Sequence, residues 1–153
     1  MSSKDNNLIE KFKIALTSTA KVISDDLELY KLSEKQSKKN DSIEINDLVK
    51  PSDFIKLRAE TDSAALKKKF SNNDIYKKNL PSNTSSKSLY NIAEKIRYES
   101  LGGKMLKGIK KNFNENYKQI INRTQKDQLR NKEDVSITEA FELYMLKNFN
   151  NIK

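Results

Sequence analysis

The stretch AEKIRYESLGGKMLKGIKKNF, Ala93 to Phe113, decides how the chain is built. Both its halves carry the spacing of an amphipathic helix. Yet it holds Gly102, Gly103 and Gly108, the three glycines of the whole sequence. Traced outward, the apolar stripe runs Leu89, Ile92, Ala93, Ile96, then Ser100 and Gly103, then Leu106, Ile109, Phe113, Tyr117, Ile120 and Thr124. The steps are threes and fours throughout, as one helix face requires. The phase survives the glycines, so the spacing predicts one helix from near Ser86 across them, kinked at that point. The alternative is a break at Gly102–Gly103. Each glycine costs about 1 kcal/mol against alanine inside a helix, and something must offset it. A neighbouring helix crossing close against Ser100 and Gly103, where no side chain intervenes, would do so.

Upstream, Asn7 can cap a first helix carrying Leu8, Phe12, Ala15, Leu16, Thr19, Val22 and Ile23, which Asp25 and Asp26 end. Residues 27–31, DLELYKL without its flanks, alternate, and Ile43 and Ile45 flank Glu44 in a second alternating piece. Together they predict a small two-stranded β-hairpin across the polar loop 33–42, which reads as mobile. Pro51 opens a second helix with Phe54, Leu57, Ala65, Leu66 and Phe70, and Asn72 and Asn73 break it. Ile75, Tyr76 and Leu80 suggest a short helical turn stopped at Pro81, and the serines of SNTSSKS can cap the helix that follows. Ser136 or Thr138 caps a last helix with Ile137, Ala140, Phe141, Tyr144, Met145 and Phe149 on one face. The expected fold is mainly α: one helical domain over 1–153, with a helix and hairpin in 1–50 and a helical core in 51–153.

Composition narrows the function. The 153 residues suffice for one ordinary core. Hydrophobic residues are 35% and charged residues 33%, so that core is thin and the surface wet. Without cysteine there is no disulfide or thiolate chemistry, which suits a reducing cytoplasm. Without histidine, the usual general base and the commonest transition-metal ligand are missing. No long apolar run predicts a membrane span, and the first residues lack the apolar core of an export signal.

A net charge of +9 invites a nucleic-acid reading. However, Arg58, Arg97, Arg123 and Arg130 are the only arginines, and arginine is the fork that reads guanine and phosphate. The lysines, including Lys67 to Lys69, phase onto no single stripe. A basic helical nucleic-acid-binding protein is therefore the second reading. Catalytic motifs fail on inspection. Gly103 to Gly108 has the spacing of a phosphate loop, but Ile109 stands where lysine is needed and no strand precedes it. Ser18-Thr-Ala-Lys21 has the S-x-x-K form without its partner motifs. Asp25, Asp26 and Glu28 could face a hard cation, but no turn glycine or ligand ladder follows, so a solvated helix end is the simpler reading. No nucleophile, base and orienter assemble, and no catalytic, cofactor or metal residue is assigned.

Three segments in register carry a resemblance. IRYESLGGKMLKGIKKNF, through Arg97, Glu99, Gly102, Met105, Gly108 and Asn112, resembles a segment of the cobaltochelatase T subunit family, CobT. FKIALTSTAKVISDDLELY is similar to that family's opening helix and strand. LRAETDSAALKKKFSNND resembles a third segment through Arg58, Asp62, Ser63, Ala65 and Leu66. The resemblance covers the family's N-terminal helical region. The family's acidic middle and C-terminal integrin-type metal domain have no counterpart, and histidines expected near SNNDIYKKNLP are missing. The family implies a cytoplasmic role in aerobic cobalamin biosynthesis, where cobalt enters a corrin ring at the expense of ATP. A large subunit holds the ring, an AAA+ subunit hydrolyses ATP, and the T subunit couples to it. This chain would then bind no cofactor itself, ATP, magnesium and cobalt belonging to the complex. Its interaction candidates are Arg97, Glu99, Gly102, Gly103, Met105, Gly108 and Asn112. Its expected partners are the AAA+ subunit and the large corrin-binding subunit, and neither membrane nor nucleic acid.

Overall fold

Capping chemistry places the helix ends of a computed structural model that describes residues 3–26, 50–127 and 136–150. Helix α1 is Ser3–Ser24, α2 Pro51–Phe70, α3 Asn73–Asn79, α4 Thr84–Met105, α5 Lys107–Asp127 and α6 Ile137–Asn150. The fold is mainly helical, and no strand occurs among the described residues. The hairpin expected from residues 27–31 and 43–45, with its loop 33–42, lies outside them.

The chain falls into two compact units, Met1–Lys69 and Phe70–Lys153. In the first, α1 and α2 run parallel. Phe12 and Phe54 meet edge to face with ring centroids 5.1 Å apart. Leu16 and Leu57 are buried beside them, with Ile9 packed against the pair. At the other end, Lys69 pairs with Asp25, and Lys68 reaches Asp26 at 3.3 Å. The α1 stripe is therefore Ile9, Phe12, Leu16, Ala20 and Ile23. Leu8 and Val22, expected inside, are 66% and 72% exposed. α2, which the sequence groups with the later helices, falls with α1.

Local chemistry explains these ends. Asp25 takes φ 55°, a left-handed conformation that aspartate tolerates. Its neighbour Asp26 then returns its N–H to the Lys21 carbonyl at 3.2 Å, closing α1 as a Schellman turn does. At α2 the Asp53 carboxylate accepts the Lys50 N–H at 2.9 Å, while Pro51 occupies the first turn, where a missing N–H costs nothing. Within α2, Leu66 and Ala65 are fully enclosed. Burying a leucine side chain contributes about 1.5–3 kcal/mol.

In the second unit, residues 70–79 run antiparallel along the first half of α4. Asn72 caps α3, its Oδ1 accepting from Asp74 and Ile75. Tyr76 packs on Tyr90 and donates its hydroxyl to Asn91. Asn83, and not the serines after it, caps α4 by accepting the Ser86 N–H at 2.7 Å. Asparagine and serine serve equally at that position, so position alone decided between them.

The helix expected to continue past the glycines ends at Met105. Leu106 alone is extended, with φ −133° and ψ 113°, and α5 starts at once and folds back along α4. The break lies three residues beyond Gly103, so it matches neither the continuous helix nor a break at Gly102–Gly103. Contacts from Gly103 to Lys110 and from Glu99 to Tyr117 fix the reversal. α6 then lies parallel to α4, with Lys95 3.6 Å from Glu142. Its start is a reciprocal cap: Ser136 Oγ accepts the Glu139 N–H, and Glu139 Oε2 accepts the Ser136 N–H, both at 3.2 Å. Its buried residue is Leu146, at 2% exposed, whereas Ile137, Tyr144 and Phe149, expected on the inner face, are 80%, 64% and 57% exposed.

Candidate functional site

The corner where α4 turns into α5 gathers most of the residues singled out in the sequence, and it divides them between an inner and an outer side. On the inner side Glu99 is buried at 2% exposed and accepts a 2.6 Å hydrogen bond from the Tyr117 hydroxyl. A buried carboxylate is tolerable only when hydrogen-bonded or paired. Burial first, and the Glu99 carboxylate second, push the Tyr117 phenol well above its ordinary pKa, so it stays a donor. Lys95 stands 5.4 Å from the centroid of the same ring, over its face. Ile96, Ile109 and Phe113 complete the buried seam.

Gly102 is buried as well, and its carbonyl accepts the Leu106 N–H at 2.9 Å, the last bond of α4. Gly103 faces α5 directly. A Cβ built there would stand 3.3 Å from Lys110 Cβ and 3.6 Å from its Cα. The close crossing expected at Gly103 is real, and the crossing helix is α5 of the same chain. Gly108 is different, since a Cβ there would meet nothing within 4 Å. Nothing among the described residues requires glycine at that position.

Arg97 lies on the far side of α4 and is tied down. Its Nε and Nη2 donate to the Glu94 carboxylate at 2.7 Å each, and Nη2 also donates to the Phe70 carbonyl at 2.8 Å. Glu94 in turn accepts from Ser71 Oγ at 2.8 Å. Hydrogen bonding to Glu94 raises the Arg97 pKa further, against a smaller opposing effect of burial. The fork thus ties the Phe70 carbonyl, and through Glu94 the Ser71 hydroxyl, to α4 within the second unit, a structural duty and not a free binding group. Glu94, three residues before Arg97, was the partner that sequence spacing could have suggested. Asn112 is half-buried and engaged within the chain.

On the outer side Met105 is 46% exposed, joined by Leu101 at 37% and Leu106 at 44%. Leu106 belonged to the expected core stripe, and the corner turns it outward. Between α4, α5 and α6 a cleft of about 140 Å³ opens, whose lining includes Glu99, Gly103, Lys104, Lys110, Asn114 and Phe149. Asn114 Oδ1 is shielded there without a hydrogen-bond partner among the described residues.

The remaining candidate motifs resolve into structure. Asp25 and Asp26 are engaged by Lys69 and Lys68 at the ends of their helices. Gly103 and Gly108 stand on two different helices, so their spacing forms no loop. Among the described residues, no three His, Cys, Asp or Glu stand together where they could hold a metal ion. Nor is any described helix long and apolar enough to cross a membrane.

The family model described as cobalamin biosynthesis protein CobT matches residues 6–148, nearly the whole chain. No curated protein and no solved structure matches it significantly.

Proposed function

The chain belongs to the CobT family of cobalamin biosynthesis proteins, and from that premise we propose that it is a non-catalytic assembly and coupling subunit of an ATP-dependent cobalt chelatase. In this reading it works in the cytoplasm, in the aerobic route to cobalamin. Its partners are an AAA+ subunit, which binds ATP and magnesium, and a large subunit that holds the corrin ring. Cobalt is the substrate of the complex and is not held by this chain.

The observation that carries the reading is the extent of the family match, which runs through both compact units. The side-chain chemistry supports it. The buried carboxylate of Glu99 is committed to Tyr117, and the Arg97 fork to Glu94 and Phe70. Groups so engaged stabilise the helices and leave contact surfaces as the means of action.

Reconstitution tests this. The two partner subunits, a corrin substrate, cobalt and ATP are combined with and without the chain, and metal insertion is followed by absorbance. Insertion should require the chain, and the chain should co-purify with the AAA+ subunit. Full insertion in its absence, together with no complex, would overturn the proposal.

A further inference from the structure

Three exposed apolar side chains stand at the α4–α5 corner. Leu101 and Met105 are one turn apart on α4, and Leu106 forms the tip. Single exposed apolar residues are ordinary on a surface, but a contiguous group rimmed by charge marks a contact site. The charge here has one sign. From Ser100 to Asn114 the sequence carries four lysines and no acidic residue. Lys111 is paired with Glu115 at 3.8 Å. Lys104, Lys107 and Lys110 are exposed and have no ion pair among the described residues, and Lys104 and Lys110 also line the cleft between α4, α5 and α6. Three unpaired cations on neighbouring turns repel each other, and a partner's carboxylates would relieve that.

We propose that this outer side of the corner, Leu101, Met105 and Leu106 rimmed by Lys104, Lys107 and Lys110, docks an acidic segment of a partner protein. That segment carries leucine- or phenylalanine-sized side chains flanked by Glu or Asp. The partner's apolar groups cover the exposed side chains, and its carboxylates meet the lysines. Gly108 leaves the first turn of α5 open to close approach, because no described residue stands within 4 Å of where its Cβ would be. Nucleic acid fits less well. The patch holds no arginine, and its apolar half offers nothing to phosphate. Within the proposed coupling role, this surface is where the AAA+ subunit docks, and that assignment rests on the role itself.

The test uses the full chain and a fluorescent synthetic peptide in which leucines are flanked by glutamates. Binding is measured by anisotropy at physiological salt. Leu101→Ser/Met105→Ser should weaken it more than about tenfold with an unchanged thermal melt. Lys104→Glu/Lys107→Glu/Lys110→Glu should abolish it, and a peptide with serine in place of leucine should not bind. The proposal fails if the peptide binds both variants as it binds the parent chain. It also fails if duplex DNA or phosphatidylserine vesicles bind this surface and the peptide does not. The AAA+ subunit separates the two levels. If it binds the chain but ignores both variants, the coupling role stands and the surface is wrong. If the peptide binds as described and the AAA+ subunit never binds, the surface stands and the role is wrong.

Discussion

The inner and outer sides of the α4–α5 corner come from the same short run of sequence, yet they differ in every physical respect. Inside, Glu99, Tyr117 and Phe113 are buried, Gly103 lies against Lys110, and each polar group of the Glu99–Tyr117 pair has its partner. Outside, Leu101, Met105 and Leu106 are exposed, and three lysines beside them have no ion pair among the described residues. The inner side is held together by contacts between α4 and α5. The outer side carries apolar and charged groups that nothing in the described fold uses. Substitutions should therefore divide cleanly: stability belongs to one side and association to the other.

The largest effect is expected at Phe113, 3% exposed in the seam. Phe113→Ala should destabilise the protein by about 3–5 kcal/mol, read by chemical denaturation. A cost below about 1 kcal/mol would mean that α5 does not pack as described.

Tyr117→Phe comes next. It removes the donor that meets a buried carboxylate, and hydrogen bonds to charged groups contribute about 1.5–3 kcal/mol. It should also change the response to alkali. A phenol whose pKa is raised by folding contributes fully below its unfolded value of about 10, and that contribution is lost as pH rises beyond it. The parent chain should lose stability faster than Tyr117→Phe between about pH 9 and 11. Parallel curves for the two proteins would show that the phenol is not held protonated by the fold.

The smallest effect on stability belongs to the outer side. Met105→Ser should stay within about 0.5 kcal/mol of the parent, as surface substitutions usually do. A large loss would place Met105 in a core and remove the contrast between the two sides.

Much of this was legible from residues, and what was missed has physical causes. Pro51 and the Asn72–Asn73 pair mark α2 because proline fits a first turn and asparagine caps the next helix. The close crossing at Gly103 was legible because glycine inside a helix needs a compensating contact. The corner itself was hidden. Apolar periodicity reports which side of a helix faces the core, not the direction of its axis. When α5 folds back on α4, both inner faces still meet, so Ile96, Ile109, Phe113 and Tyr117 keep a common phase through a reversal. In α6 the apolar residues are too many to define one stripe. A face through Leu146 and one through Tyr144 both satisfy helical spacing, and packing chose the former. Of the interaction candidates, Arg97 and Glu99 proved to be internal ties, while Met105 and Gly108 lie open. The resemblance that selected them could not distinguish those duties, because it holds no information on burial.

The central claim, that the two sides of the corner have separate duties, is tested most directly by two glycines five residues apart. Gly103→Leu and Gly108→Leu are compared with the parent by chemical denaturation under one set of conditions. A Cβ at Gly103 stands 3.3 Å from the Lys110 Cβ, so α5 must yield by a few tenths of an ångström before leucine fits, and the α4–α5 seam resists that shift. Overpacking of that kind costs about 1–3 kcal/mol. Leucine at Gly108 meets open space, so the better helix propensity should leave stability unchanged or raise it by up to about 1 kcal/mol. The account predicts opposite directions for the same substitution. Equal destabilisation at both positions, or a gain at Gly103, would contradict it.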